Sequence, residues 1–324
     1  LPRFEVEVLS GLADLAGAEV ERLGGRVVSE ADTALRVDWA GDLRTLLSLR
    51  LAVAVYVIER FDVPRPKALL GDQALRRLTK LALQAQAVGG HRSLRLRAAG
   101  RDTAVMQRLA SALSDTTGLP LDQDEGELVV RVVPATEADG GWEALARLSP
   151  RPLSARRWRA ANLPGALNAT IAAAMVDLAD VRAGQGVLNL MCGSGTLLIE
   201  AGGGVGVDVD ADALALARRN DPALSLVQAD ARGLPFPDAS FDRLLADLPY
   251  GHRMGSHQEN EALYAAVLAE AARVARPGAV MAVITHELRR FESVLAGSAP
   301  WRVEHERRVF QKGHHPHIWV LRSR

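Results

Sequence analysis

Residues 187–201 read Val-Leu-Asn-Leu-Met-Cys-Gly-Ser-Gly-Thr-Leu-Leu-Ile-Glu-Ala, and this stretch decides the fold. The apolar run Val187 to Leu190 has the character of a buried strand, and Leu197 to Glu200 are good helix formers. Between them, Cys192-Gly193-Ser194-Gly195-Thr196 supplies two residues without a Cβ and two hydroxyls able to cap the helix. Strand, glycine turn and helix N-terminus together make a place where backbone N–H groups can face a ligand. Downstream, Gly204-Val205-Gly206-Val207-Asp208-Val209-Asp210 is a second buried strand ending in carboxylates. In an open α/β sheet an acid at that position can reach the hydroxyls of a ribose lying across the glycine turn, so a nucleoside-type ligand is expected.

Working outward toward the C-terminus, βα units continue. A helix over 212–220 is followed by a strand over 224–227 that closes at Asp230-Ala231, and a strand over 241–246 ends in Asp247-Leu248-Pro249-Tyr250-Gly251. A helix over 260–274, a strand over 280–285 and a helix over 286–296 come next. Two strands, 301–310 and 317–321, are then joined by so few residues that they must pair antiparallel. Dinucleotide-binding sheets continue with crossovers instead, so the ending is methyltransferase-like.

Toward the N-terminus, Phe4, Val6 and Val8 alternate with Glu5 and Glu7, and Ser10 is placed to cap a helix that ends near Gly24-Gly25. Strands at 27–28 and 34–39, a helix over 42–49 and the run 53–58 complete a β-α-β-β-α-β, ferredoxin-like order. From Lys67 the composition shifts: residues 67–108 hold nine Arg or Lys against two Asp. Arg76 and Lys80 share one helix face, and Arg95 and Arg97 share one side of a strand. These faces suit RNA phosphates or an ordinary solvated surface, since arginine is abundant throughout the chain. Residues 140–162 read as a linker with a short helical piece at 142–148. Within it Arg156-Arg157-Trp158-Arg159 suits phosphates and a stacked base, or a joint plugged by Trp158.

Composition sets outer bounds. The 324 residues exceed one typical domain, and 39 basic residues balance 39 acidic ones, so a nucleic-acid partner must be argued from local clusters. Arginine outnumbers lysine 36 to 3, which fits a GC-rich genome as readily as phosphate recognition. One cysteine, Cys192, excludes an intrachain disulfide and any zinc-type cysteine pair. His314, His315 and His317 crowd one hairpin tip without matching ligands elsewhere, so no metal is expected. With no apolar leader in residues 2–7, and 51–58 as the longest apolar run, no membrane association and a cytoplasmic location are expected.

Three motifs carry a family resemblance: Pro164-Gly165-Ala166-Leu167-Asn168, Cys192 to Ala201, and Asp247-Leu248-Pro249-Tyr250-Gly251. In that order they resemble the THUMP-containing, S-adenosylmethionine-dependent RNA methyltransferases that modify the exocyclic N2 of guanosine. Within these, the TrmN-like branch acting on position 6 of the tRNA acceptor stem is most similar. The resemblance implies a ferredoxin-like α+β segment at 1–64, a THUMP α/β domain at 65–150 and a linker at 151–163. It implies a Rossmann-like class I methyltransferase domain at 164–324 whose sheet ends in an antiparallel hairpin.

It further implies that Asp247, with the Leu248 carbonyl, accepts hydrogen bonds from the target amine, that Pro249 stiffens the turn and that Tyr250 stacks on the flipped base. For the cofactor it implies contacts from Asn168, Thr170, Asn189, Cys192, Gly193, Ser194, Gly195, Thr196, Asp208, Val209, Asp230, Ala231 and Asp247. The candidate tRNA contacts come from local charge and position instead: Arg76, Lys80, Arg95, Arg97, Arg156, Arg157, Arg159 and, just after the catalytic motif, Arg253. Departures are Asn189 where the family usually has Asp, Leu248 where proline is commoner, and a short connection from Glu200 to Asp208. In-line transfer from a sulfonium needs no metal and no covalent intermediate, so Cys192 is not expected to be a nucleophile. An N6-adenine methyltransferase would use nearly the same catalytic turn. A nicotinamide-dependent dehydrogenase, which shares the glycine turn, and a catalytically silent RNA-binding protein are the remaining alternatives. Monomer and dimer are both compatible with the sequence.

Overall fold

Period-two alternation sets the first strand, in which Phe4, Val6 and Val8 are buried. Glu5 on the opposite face is buried too, paired with Arg36 and Arg131, because the strand lies inside the sheet rather than at its edge. The computed structural model describes residues 2–135, 140–161, 163–249, 257–310 and 313–324, and the chain forms two compact units, Leu1–Ala155 and Arg156–Arg324.

The first unit runs β1 (Arg3–Val8), α1 (Ala13–Arg22), β2 (Arg26–Ala31), β3 (Ala34–Asp38), β4 (Ala52–Phe61), α2 (Asp72–Gly89), β5 (Leu94–Ala98), α3 (Ala104–Thr117), β6 (Leu128–Pro134) and β7 (Trp142–Arg147). Its seven strands form one sheet in the order β2-β3-β1-β4-β7-β6-β5, and only β5 and β6 pair in parallel. Because Tyr56 to Phe61 of β4 pair with Arg147 to Trp142 of β7, strands from either side of the expected boundary at residue 64 share this sheet.

Three local expectations are corrected. The helix expected over 42–49 is a 3-10 helix, Leu43–Ser48, in which Leu46 is the buried anchor. One buried side chain gives an amphipathic α-helix too little to pack. Ser10 does not cap α1; the helix starts after the fully buried Leu12, with no side-chain cap bond. Residues 142–148 are not helical, although Glu, Ala, Leu and Arg favour helix. Propensity differences stay below about 1 kcal/mol per residue, and β7 gains two hydrogen-bonded neighbours and buries Glu143 to Ala146.

The second unit comprises α4 (Ala169–Leu178), β8 (Val187–Leu190), α5 (Thr196–Glu200), β9 (Val205–Asp208), α6 (Ala211–Asn220), β10 (Ser225–Gln228), β11 (Phe241–Asp247), α7 (His257–Val274), β12 (Ala275–Thr285), α8 (Leu288–Ala296), β13 (Trp301–Arg308) and β14 (His317–Ser323). Strand order is β10-β9-β8-β11-β12-β14-β13, with β14 antiparallel to both neighbours. This is a Rossmann-like methyltransferase sheet with the expected closing hairpin. α4 is buried from Ala169 to Val176, so it is a core helix with no polar face over those residues. Chain order reverses direction at β8, between β9 and β11, which opens a crevice at the strands' C-terminal ends. Among the described residues no helix is long and apolar enough to cross a membrane.

Candidate active site

The site begins where β8 stops. Met191, Gly193 and Gly195 all have positive φ (51°, 51° and 80°), folding residues 191–195 into a tight loop before α5. The Gly193 N–H donates to Asp208 Oδ2 at 2.8 Å, and the Asp210 N–H donates to Asp208 Oδ1 at 3.0 Å, so the glycine turn itself fixes the acid at the end of β9. Asp210 in turn caps α6 through the Asp212 N–H at 2.8 Å. Gly195 is held to glycine from the other side: a Cβ there would stand 2.9 Å from Leu224 Cδ1 and 3.3 Å from the Ala217 Cβ. Neither Ser194 nor Thr196 caps α5, whose N-cap is Gly195 with no side-chain bond. Instead the Ser194 hydroxyl is buried with no hydrogen-bond partner, and Thr196 Oγ1 accepts from Arg159 Nη2 at 3.1 Å.

These elements enclose a cavity of about 610 Å³, within the range of small-molecule and cofactor sites. Of the expected residues, Cys192, Gly193, Ser194, Thr196, Asp208, Val209, Asp230, Ala231, Asp247 and Pro249 line it. Burial pushes the Asp247 carboxyl up to about 7, and pushes the Cys192 thiol up to about 12, where it stays protonated and unreactive. Asp230 is held below the usual carboxylate range by Arg232, whose guanidinium and backbone N–H both donate to it.

Other expected residues stand elsewhere. Asn168 caps α4 through the Thr170 N–H at 2.8 Å, and Thr170 is fully buried beneath it. The Asn189 amide donates to the carbonyls of Leu190 and Leu245, at 3.2 and 3.1 Å, and so staples β8 to β11. Leu248 is buried, and its N–H extends the sheet by donating to the Ile284 carbonyl at 2.9 Å. Tyr250 and Arg253 lie outside the described residues. What sequence reasoning missed is the wall made by residues 163–167, with Met191, Leu197 and Leu263. The Pro164-Gly165 motif was the available signal for that wall.

The basic residues also divide. Arg156 makes a buried ion pair with Glu200, Nε to Oε1 at 2.7 Å. Arg159 bonds the Leu167 carbonyl at 3.2 Å and lies over the Trp158 ring at 5.0 Å. Both therefore face inward, because a buried carboxylate and carbonyl on neighbouring elements compete better for a guanidinium than water does. Arg157 is exposed. In the first unit Arg76 and Lys80 are exposed on α2, while Arg95, Arg97 and Arg101 line a concavity of about 320 Å³ with Arg131, which sequence reasoning did not single out. The hairpin-tip histidines are engaged locally: His314 packs on His286, His315 on Phe310, and His317 bonds Glu306.

A sheet in this order, parallel except for its closing antiparallel hairpin, with a glycine turn at its switch point and acids at the ends of β9 and β11, defines the class of S-adenosylmethionine-dependent methyltransferases. Residues 156–204 and 203–317 match the family model UPF0020, described as an RMKL-like methyltransferase domain. The chain is 33% identical over 341 aligned residues to the tRNA (guanine(6)-N2)-methyltransferase of Thermus thermophilus, covering 98% of this chain and 95% of that protein. It is 26% identical over 212 residues to the tRNA (guanine(6)-N2)-methyltransferase of Archaeoglobus fulgidus, covering 61% of this chain and 53% of that one. The crystal structure of TrmN from Thermus thermophilus superposes with a TM-score of 0.79 at 28% identity, with both chains covered completely. The chain belongs to this family of RMKL-like and TrmN-like methyltransferases.

Proposed function

We propose that this chain transfers a methyl group from S-adenosylmethionine to the exocyclic N2 of a guanosine in tRNA, at position 6 of the acceptor stem, in the cytoplasm. The observation that carries the reading is Asp247, a carboxylate at the C-terminal end of β11 that lines the same cavity as the glycine turn and Asp208.

The residues present fit the cofactor. Asp208 is pinned by two backbone N–H groups and keeps free lone pairs for a ribose diol. The buried, unpartnered Ser194 hydroxyl is a polar group waiting for a ligand. Asp230, which lines the same cavity and shares its oxygens with Arg232, would accept from the adenine amine. When bound, the cofactor supplies an electrophilic methyl group on sulfur.

The target amine is a poor nucleophile because its lone pair is delocalised into the base. Asp247 accepts one amine N–H and the Leu248 carbonyl a second, which localises the pair for in-line attack. The N–C bond forms as the S–C bond breaks, and the proton then lost from nitrogen can pass to Asp247, whose affinity for it is close to neutral. Tyr250 provides the ring on which the displaced base stacks.

Residues 65–150 we read as a THUMP domain that docks the tRNA, with Arg76, Lys80, Arg95 and Arg97, together with Arg131, as phosphate contacts. The element order and the arginine-lined concavity support that reading, as does the tRNA-methylating activity of the Thermus thermophilus relative. Matched tRNA transcripts carrying guanosine or inosine at position 6 test it, since inosine has the same ring but no exocyclic amine. Methyl transfer to the first and none to the second is expected; equal transfer to both would move the target elsewhere.

A further inference from the structure

The catalytic turn is held from behind by a hydroxyl that packing alone does not require. Tyr264 of α7 is fully buried, its ring edge-on to Phe291 at 6.0 Å, and Phe291 in turn packs on Trp319 at 4.7 Å. A phenylalanine would satisfy those contacts. The Tyr264 hydroxyl instead donates to the carbonyl of Pro249, and Thr285 Oγ1 lies 3.3 Å from it. Thr285 Oγ1 accepts the Glu287 N–H at 3.1 Å. Since the tyrosine proton goes to Pro249, the threonine proton points to the tyrosine oxygen. A one-directional chain results: Glu287 N–H to Thr285, Thr285 to Tyr264, Tyr264 to the Pro249 carbonyl. Each link polarises the next. Its far end is anchored by the buried Glu287 carboxylate, which accepts from Asn260 Nδ2 at 3.1 Å and from Arg290 Nη1 at 2.6 Å.

We infer that Tyr264 is a positioning residue for methyl transfer, setting the direction of the Leu248 carbonyl through the peptide that follows it. This rests on the reading of Asp247 and the Leu248 carbonyl as the amine acceptors. Leu248 is fixed on its N-terminal side by the bond from its N–H to the Ile284 carbonyl, at 2.9 Å. Pro249 has its φ locked by the ring. The Tyr264 hydroxyl fixes the Pro249 carbonyl on the other side, so the acceptor carbonyl stands between two anchors. Burial pushes the phenol up to about 12, which keeps it a donor throughout the neutral range.

The test compares the native protein with Tyr264→Phe, Thr285→Val and Asp247→Ala. It measures kcat, KM for S-adenosylmethionine and for tRNA transcript, cofactor affinity by calorimetry, and Tm. Misplacing an acceptor by a fraction of an ångström should lower kcat of Tyr264→Phe roughly ten- to hundredfold, with both KM values and the cofactor Kd within about twofold of native. Thr285→Val should show the same split with a smaller loss, and carries the test if Tyr264→Phe fails to fold. A Tyr264→Phe enzyme with native kcat, whatever its Tm, would overturn the inference, as would a raised KM at unchanged kcat. Failure of the underlying reading looks different: the native protein transfers nothing, or Asp247→Ala keeps native activity.

Discussion

Replacing Asp247 by asparagine keeps the shape of the side chain and removes its charge, which separates what this group does for chemistry from what it costs the fold. Burial raises its carboxyl from the ordinary 3.8 to about 7. The folded state then holds this proton more tightly than the unfolded chain, so between those two values stability falls as pH rises. The interval covers about three pH units at about 1.4 kcal/mol each, an upper bound of about 4 kcal/mol. The penalty is fully present above about pH 7 and absent below about pH 4. Asparagine carries no such penalty. At pH 8 the ligand-free Asp247→Asn protein should therefore unfold at a higher temperature than native, by roughly 8–16 °C if the whole amount is realised. The gap should close on acidification toward pH 4. Circular dichroism melts at half-unit pH steps measure it. In the same pH series, native kcat/KM should rise about tenfold per unit up to about pH 7 and then level off, because the ionised carboxylate is the hydrogen-bond acceptor. A Tm difference that does not vary with pH, together with a flat rate profile between pH 5.5 and 8, would refute the argument that burial sets this group's charge.

Asp208→Ala should weaken S-adenosylmethionine binding about ten- to hundredfold by calorimetry, since it removes the proposed ribose acceptor and the partner of the Gly193 N–H together; native affinity would remove Asp208 from the site. Arg156→Ala removes the guanidinium ion-paired with the buried Glu200 carboxylate and should cost about 3–5 kcal/mol in denaturant unfolding, whereas Arg157→Ala should leave stability alone and weaken tRNA binding with a shallower salt dependence. Gly195→Ala must adopt φ of 80° and bring its Cβ to 2.9 Å from Leu224, which should destabilise the second unit by about 1–3 kcal/mol and lower its Tm.

How much of this was legible before the structure depends on how local each cause is. The glycine turn, the acids at the ends of β9 and β11 and the closing hairpin were readable because each is written in contiguous residues, and Asp208, Asp230 and Asp247 do line one cavity. β7 was hidden because its helix-favouring residues become a strand only when β4 and β6 present their edges. Arg156 and Arg159 looked like surface cations beside an aromatic. Their inward turn depends on Glu200 and Leu167, whose positions only the folded chain supplies. Asn168 and Asn189 sit within the motifs that announce the site, but Asn168 is spent capping α4 and the Asn189 amide nitrogen joins β8 to β11, which leaves its buried Oδ1 without a hydrogen-bond partner. Tyr264 carried no sequence signal, since a lone tyrosine in an apolar helix pattern reads as core.

The most direct test of the central claim is methyl transfer from labelled S-adenosylmethionine to unmodified tRNA transcripts, with the product digested, its nucleoside identified and its position mapped, and with Asp247→Ala in parallel. N2-methylguanosine at position 6, made by the native protein and absent with Asp247→Ala, is the predicted result. N6-methyladenosine, or N2-methylguanosine formed equally well without the Asp247 carboxylate, would contradict it.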